Sequence, residues 1–504
     1  MHPPNIFDRL VAWVYPEAGV RRAKARRLLA YYESAKVDLQ RKQRRAIGSG
    51  DSDVIRAGVL IREQARHLEQ NHDLARGILE TLVQNIVGPH GIGIEPQPRR
   101  ADGSIHEEFA GQILELSRDW NKLPEVTRAH DFASAQRLAA RSWLRDGEVL
   151  AQHIVGSAVG LDHGTRIPYS IELIEADMLP MDLIDAGKGI TMGVQRNAWG
   201  RPVGYWLYKQ HPGDWVLLQQ SAATKFVPAD RIMHLKMIDR IRQTRGVSVF
   251  ASVMSRLDDI KDYEESERIA AKVAASMAAF IRKGVPEMYE SPSDGSVRDL
   301  RMKPGMIFDD LTQGEEIGTI NTTRPNSNLE NHRRGQLRAV ACGTRVTYSS
   351  AAKDYDGSYS SQRQELVEAD GAYGVLASEF IGGFVQPIHE MRISAALASG
   401  QLVIPADVAT MSVDDALYIP PQMPWIDPDK EAKALERLEK NLHASGPEII
   451  RRRGQNPHDV LEQESRWRKE IKERDLMVEG ITDFENEPQE ETNAQSRSRQ
   501  SRVR

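Results

Sequence analysis

The sequence predicts an α+β chain in which a small strand-built module is inserted between two long helices. Three observations carry that expectation. Over residues 253–283 apolar side chains recur at helical spacing, at Leu257, Ile260, Tyr263, Ala270, Val273, Ala274, Met277 and Ile281, with Asp258, Asp259, Lys261, Glu265 and Arg268 between them. Over 284–323 that period stops, short runs such as Val285 to Glu290 and Gly314 to Ile320 are bounded by Pro-Gly and repeated Gly, and the helical period returns over 329–340. Before residue 249 helical and extended stretches alternate without a βαβ repeat, which points to α+β rather than a parallel sheet.

The first long helix is expected to pack through Leu257, Ile260, Ala270, Ala274, Met277 and Ile281, because small and apolar residues on one face let another backbone come close. Upstream, residues 56–87 read as helical through Leu60, Ile61, Leu68, Leu74, Ile78, Leu79 and Leu82, and Gly88-Pro89 is a strong stop. A second helix is expected over 105–121, and a third over 132–145 that halts at Asp146-Gly147. Extended runs follow at 149–155, 169–174, 189–195 and 203–208, with Asn197 to Arg201 as the hairpin turn feeding the last. Beyond the second long helix, residues 343–361 read as a polar stretch and 376–397 as a helical run interrupted by Pro387. Charged helical stretches occupy 430–443 and 456–477, and from Asp483 onward almost nothing apolar remains to bury, so that tail is expected to be disordered.

Composition narrows the classes. The chain has 504 residues and a net charge of −5, so nothing global argues for wrapping nucleic acid. Residues 1–50 are the exception, with eleven Lys or Arg against four Asp or Glu; such an arm either touches an anionic polymer or is a solvated helix. The one cysteine, Cys342, excludes an internal disulfide framework and a thiolate metal cluster. No apolar run reaches the length of a membrane span, and no signal peptide is apparent, so the protein is expected to be made and used inside a cell or inside something assembled there.

Catalytic signatures are absent. No Gly-rich loop is followed by Lys and Ser or Thr, and there is no Gly-x-Ser-x-Gly elbow. His106-Glu107-Glu108 and His389-Glu390 begin like zinc-protease helices, but Ala110 and Ile393 stand where the second histidine is needed. The chain is therefore expected to be no enzyme, with no catalytic residue, cofactor or metal.

Several separated segments are similar to those of one family. They are Ile86-Val87-Gly88-Pro89-His90-Gly91-Ile92, Trp143-Leu144-Arg145-Asp146-Gly147-Glu148, Ile174-Glu175-Ala176-Asp177 and Gly200-Arg201-Pro202-Val203-Gly204-Tyr205, then His234 with Gln243-Thr244-Arg245-Gly246-Val247-Ser248, Met302-Lys303-Pro304-Gly305, and Asp354-Tyr355 with Tyr359-Ser360-Ser361-Gln362-Arg363. In that order, over approximately 20–475, they resemble the lambda-type bacteriophage portal proteins. The chain departs from the family at Gly343-Thr344-Arg345, where Gly-x-Pro is frequent, and at Ser358, where Asn is common.

The resemblance implies a portal-like fold: a basic arm (1–50), a wing (51–248), a two-helix stem (249–283 and 326–342), a clip (284–325), a tunnel loop (343–361), a wing return (362–425), a helical crown (426–482) and a tail (483–504). It implies a homo-oligomeric ring of about twelve copies at the capsid vertex of a virion, assembled in the host bacterial cytoplasm, whose subunit contacts close on themselves. Implied partners are double-stranded DNA read without sequence preference, the large terminase subunit, the major capsid or scaffolding protein and a head-completion adaptor, with no membrane. Under that resemblance Asp258, Asp262 and Glu265 are expected to face a DNA channel, with Arg345 and Lys353 as sparse cations at its constriction. Without it, the residues leave room for a nucleic-acid-binding scaffold using the basic arm, or an enzyme lacking a short motif.

Overall fold

The computed structural model describes residues 48–214, 223–275, 279–283, 315–319, 329–422 and 428–474. The expected arm at 1–50 lies almost wholly outside them, as do most of the 284–325 module, Met277 and the 483–504 tail.

Two helices open the described chain, α1 (Gly50–Asn71) and α2 (Asp73–Ile86). Sequence periodicity reads one helix here, but the run breaks at His72, whose extended backbone (φ −126°, ψ 113°) serves as the N-cap of α2. After the stop at Gly88 comes β1 (Gly93–Pro96), then α3 (Glu107–Trp120) and α4 (Phe132–Asp146). The Asp131 carboxylate caps α4 by accepting the Ser134 N–H, and Gly147, with φ +86°, ends it.

Two antiparallel sheets follow. The first is β3 (Tyr169–Ile174), β2 (Glu148–Val155) and β8 (Ile232–Lys236), in that spatial order. The second is β4 (Ile190–Thr191), β5 (Val194–Arg196), β6 (Pro202–Tyr208) and β7 (Thr224–Pro228). The expected single run over 189–195 is in fact a hairpin, turning at Met192-Gly193, both with positive φ.

Strand alternation builds the layers. Val149 and Ala151 on β2 join Met233 and Leu235 on β8 in the large helical core, while Leu150 and Ile232 turn the other way, to Val194, Tyr205, Leu207 and Val227 of the second sheet. The result is helices, then a three-stranded sheet, then a four-stranded sheet. Trp120 closes the helical side: its indole donates to the Tyr169 carbonyl at 2.8 Å and its ring stacks on Tyr169 at 5.3 Å.

The long helices are α5 (Met254–Ala275) and α6 (Leu329–Thr344). The expectation that the first helix runs to Lys283 is corrected here. Residues Ala279–Lys283 form strand β9, paired antiparallel with β10 (Glu315–Thr319) in a register that sets Arg282 opposite Glu316 and Lys283 opposite Glu315. That pairing joins segments more than thirty residues apart, a long-range relation that a 3.6-residue period cannot express.

The expected polar stretch at 343–361 also contains more structure than its composition suggests. A short helix, α7 (Tyr348–Ala352), is capped by Thr347 and ended by Lys353 at φ +53°, and α8 (Tyr359–Phe380) begins before the stretch is over. At Pro387 the chain does not stop. A π-helical turn over Ile381–Val385, closed by the Gln386 N–H on the Ile381 carbonyl, leads without a break into α9 (Gln386–Ala398), so the proline sits where the helical bonding pattern already changes. β11 (Ala416–Ile419) returns to pair with β1, and the charged helices α10 (Pro428–Lys440), α11 (Gly446–Arg452) and α12 (Pro457–Glu473) follow. Among the described residues no helix is long and apolar enough to cross a membrane.

Candidate functional site: a helix pair rooted in a buried charge cluster

The root of α5 is set by Arg245, whose side chain is fully buried. Its Nε donates to Glu148 Oε1 at 2.8 Å, Nη1 to the Leu179 and Met192 carbonyls at 2.9 and 3.1 Å, and Nη2 to the Ala176 carbonyl at 3.0 Å. Glu148, also buried, accepts from the Gly246 N–H at 3.0 Å and contacts His234 Nε2 at 3.0 Å. Burial alone would raise the Glu148 carboxyl, but Arg245 and His234 outweigh it and hold the group well below the usual carboxylate range.

Further charged side chains surround that pair. Arg62 stands 4.0 Å from Glu148 and 3.5 Å from Asp177. Arg66 binds Asp146 and Asp177, and Arg145 binds Asp146 and Glu69. The segments 143–148, 174–177, 234 and 243–248, singled out separately in the sequence, thus meet at one place. Their role is to join the two sheets and α1 to the chain that enters α5.

From that anchor the helix pair is built outward. Thr244 donates both N–H and Oγ1 to Asp51, Val249 N–H reaches the Leu144 carbonyl, and Phe250, Val253, Leu257 and Ile260 are buried. The break at His72 seats against α5, with His72 Nε2 3.0 Å from the Leu257 carbonyl and Lys261 Nζ donating to the Asn71 carbonyl at 3.0 Å. α6 lies along α5 through Arg256 to Gln336 at 2.8 Å, Arg333 to Glu264 at 2.5 Å, and the Tyr263 and His332 rings at 5.0 Å.

The residues singled out for the channel divide clearly. Asp258, Asp262 and Glu265 are all exposed on α5, turned away from the face that buries Leu257 and Ile260. Arg345 and Lys353 are exposed, both in the left-handed region at φ +61° and +53°, at either end of the turn that carries α7. Among the expected packing residues Leu257 and Ile260 belong to the core and Ala270 is half-buried. The side chains of Ala274, Met277 and Ile281 lie outside the described residues, and Ile281 is in β9 rather than in a helix.

The turn after α6 is held by polar contacts as well as by the buried Val346 and Ala351. Tyr348 donates its hydroxyl to Asp354 at 2.9 Å, Arg334 stands 3.6 Å from the same carboxylate, and Arg338 lies 5.4 Å over the Tyr348 ring. Glu365 of α8 accepts from the Ser349 N–H and hydroxyl, and Gln362 donates to the Tyr355 carbonyl. Ser358 caps α8 by accepting the Ser361 N–H, a task that the asparagine common there in the resembled family performs equally well.

The profile of the family described as "Phage portal protein, lambda family" matches residues 38–376. The chain belongs to that family. The match runs from before α1 into α8 and so takes in the charge cluster, both long helices and the turn after them. A curated relative, the "Probable portal protein" of Halomonas phage phiHAP-1, is 25% identical over 430 residues, covering 82% of this chain and 81% of its own. Solved structures from gene transfer agent particles are also similar. A chain of the native virion gives a TM-score of 0.41 at 14% identity, covering 80% of this portal-family chain and 94% of that one. A chain from the native neck computed with C12 symmetry gives 0.40 at 11% identity, covering 82% and 96%.

Histidines with zinc-like neighbours in the sequence have other tasks. His106 is the N-cap of α3, accepting the Phe109 N–H at 3.1 Å, and His389 is buried beside Arg392. Among the described residues, Glu175, Asp177 and His211 approach one another, as do His458, Asp459 and Glu462. Arginines already neutralise carboxylates in both groups, Arg66 in the first and Arg118 and Arg466 in the second.

Two buried histidines are expected to make this chain less stable in mild acid. Burial pushes His153 down to about 4 despite Asp230, and burial with Arg392 pushes His389 down to about 3, from the ordinary 6.5. Between pH 6.5 and about 5 the unfolded chain binds protons at these positions and the folded chain does not, so stability falls as the pH falls. The expected loss is about 1–2 kcal/mol per histidine over that window. Urea unfolding midpoints at pH 7 and pH 5 check this, with a smaller difference between the two pH values expected in His153→Gln.

Proposed function

We propose that this chain is one subunit of a ring at the unique capsid vertex, a conduit for double-stranded DNA during packaging and ejection. The observation that carries the reading is the family match across both long helices and the segment between them. In this reading α5 and α6 are the stem, β9 and β10 belong to the clip, the two sheets and α1–α4 are the wing, the turn carrying α7 is the tunnel loop, and α10–α12 are the crown. The ring holds about twelve copies in heterologous contact, each pairing one surface with a different surface of its neighbour until the rotation closes.

The protein does no chemistry in this account. A terminase docked on the clips supplies the energy, a head-completion adaptor joins the same end, and capsid or scaffolding protein holds the wing. DNA must move, so phosphate contacts repeated around the ring have to be weak, since each adds salt-dependent affinity. The exposed carboxylates Asp258, Asp262 and Glu265 serve that need by repelling phosphate, with Arg345 and Lys353 steering the duplex at the turn.

Replacing Asp258 and Asp262 by Asn and Glu265 by Gln tests the assignment. The three side chains are exposed, so stability is expected to stay within about 0.5 kcal/mol for each substitution. DNA affinity of the assembled particle at low salt is expected to rise about tenfold, and packaging to slow. Unchanged affinity and packaging would remove these residues from the channel wall.

A further inference from the structure

Arg392 on α9 is a buried cation with no anion. Its residue is 1% exposed, and among the described residues no carboxylate pairs with it. Nη1 donates to Asn121 Oδ1 at 3.2 Å, Nη2 lies 3.0 Å from His389 Nδ1, and the guanidinium sits 5.2 Å over the Trp120 ring. Nε, although buried, has no hydrogen-bond partner. An arginine taken out of water ordinarily finds a carboxylate, as Arg245 does in this same chain, because an uncompensated buried charge is costly.

Arg392 lines a cavity of about 230 Å³ between β1, α3 and the start of α4. Ser117, Phe132 and Gln136 form buried parts of its wall, and Arg118, His90 and Asp131 stand exposed at its mouth. Arg118 is paired with Asp459, and the Asp131 carboxylate is engaged as the α4 cap. At roughly 30 Å³ per water in the liquid, the cavity holds a small ion with part of its hydration. We propose that it is a binding site for a small oxyanion, a carboxylate or a phosphate, held by the Arg392 guanidinium.

The ligand class follows from the donors. A planar guanidinium with an unpartnered Nε–H matches an acceptor with two or more oxygens, one for each N–H, better than it matches the single centre of chloride. At about 230 Å³ the cavity is too small for a duplex, so the site is separate from the DNA path and does not depend on the channel reading. Its occupant would lock α9 against α3 and β1.

Titration of the full-length protein in HEPES with sodium phosphate or sodium acetate, against sodium chloride at equal ionic strength, tests this by calorimetry and by Tm. The expected result is saturable binding and a saturable rise in Tm with one of the two oxyanions, which identifies phosphate or carboxylate as the chemistry preferred. Arg392→Lys is expected to weaken it about tenfold, because a point charge cannot replace the fork. Should the lysine variant fail to fold, Leu114→Trp fills the cavity from its half-buried wall while leaving Arg392 intact, and is expected to abolish binding. Absence of a saturable response to both oxyanions in the parent protein overturns the proposal, as does a response that survives in Leu114→Trp.

Discussion

Arg245→Met is expected to unfold this protein or lower its urea midpoint more than any substitution on its surface. The variant keeps most of the side-chain volume but leaves Glu148 buried without its closest cation, with His234, the Gly246 N–H and, at 4.0 Å, Arg62 still beside it. It also takes the Arg245 bond from the Leu179 and Met192 carbonyls and leaves the Ala176 carbonyl with the Leu179 N–H alone. Breaking one side of a buried pair costs about 3–5 kcal/mol, and the lost carbonyl bonds add to that. The comparison is Arg166→Met, whose exposed pair with Glu115 at 3.1 Å is expected to contribute no more than about 1 kcal/mol. Equal losses in the two variants would show that the cluster is not the root of the helix pair.

Gly147→Ala is expected to be nearly as damaging, for a steric reason. Gly147 has φ +86°, and a Cβ there would stand 2.3 Å from the Val247 carbonyl carbon and 2.5 Å from its nitrogen. No rotamer relieves such a contact, because both partners are backbone and the crossing is tied by the Met237 N–H to Gly147 carbonyl bond at 2.7 Å. The cost is expected to exceed about 3 kcal/mol, combining left-handed strain with overpacking. Gly200→Ala separates the two terms, since Gly200 has φ +85° but nothing within 4 Å of its added Cβ. It is expected to lose only about 1 kcal/mol in the same unfolding measurement. If both glycine variants lose the same amount, the close crossing at Gly147 carries no weight.

These two positions show what a linear reading can and cannot reach. Local signals were legible: the Gly147 stop of α4, the Asn197 to Arg201 turn, and the return of helical period at Leu329 all depend on a few neighbouring residues. The meeting of Arg245 with Glu148 was not, because the partners are 97 positions apart and nothing in either segment names the other. The same holds for β11, which pairs with β1 across more than three hundred residues, and for β9, whose Ala, Phe and Ile fit a helix or a strand equally well until Glu315–Thr319 is placed beside it. Pro387 predicts a kink or a break because a proline normally costs a helix its bond; the chain instead stays helical through a π turn just before it. As for the candidate site, exposure of Asp258, Asp262 and Glu265 follows from the helical period, while what they face depends on neighbouring copies.

Electron microscopy of the purified full-length protein, alone and with capsid and scaffolding proteins, tests the central claim most directly. The account predicts closed rings of about twelve subunits, with α5 and α6 lining an axial opening wider than a DNA duplex at most levels. Monomers or compact dimers with no axial opening, persisting after the capsid partners are added, would contradict it.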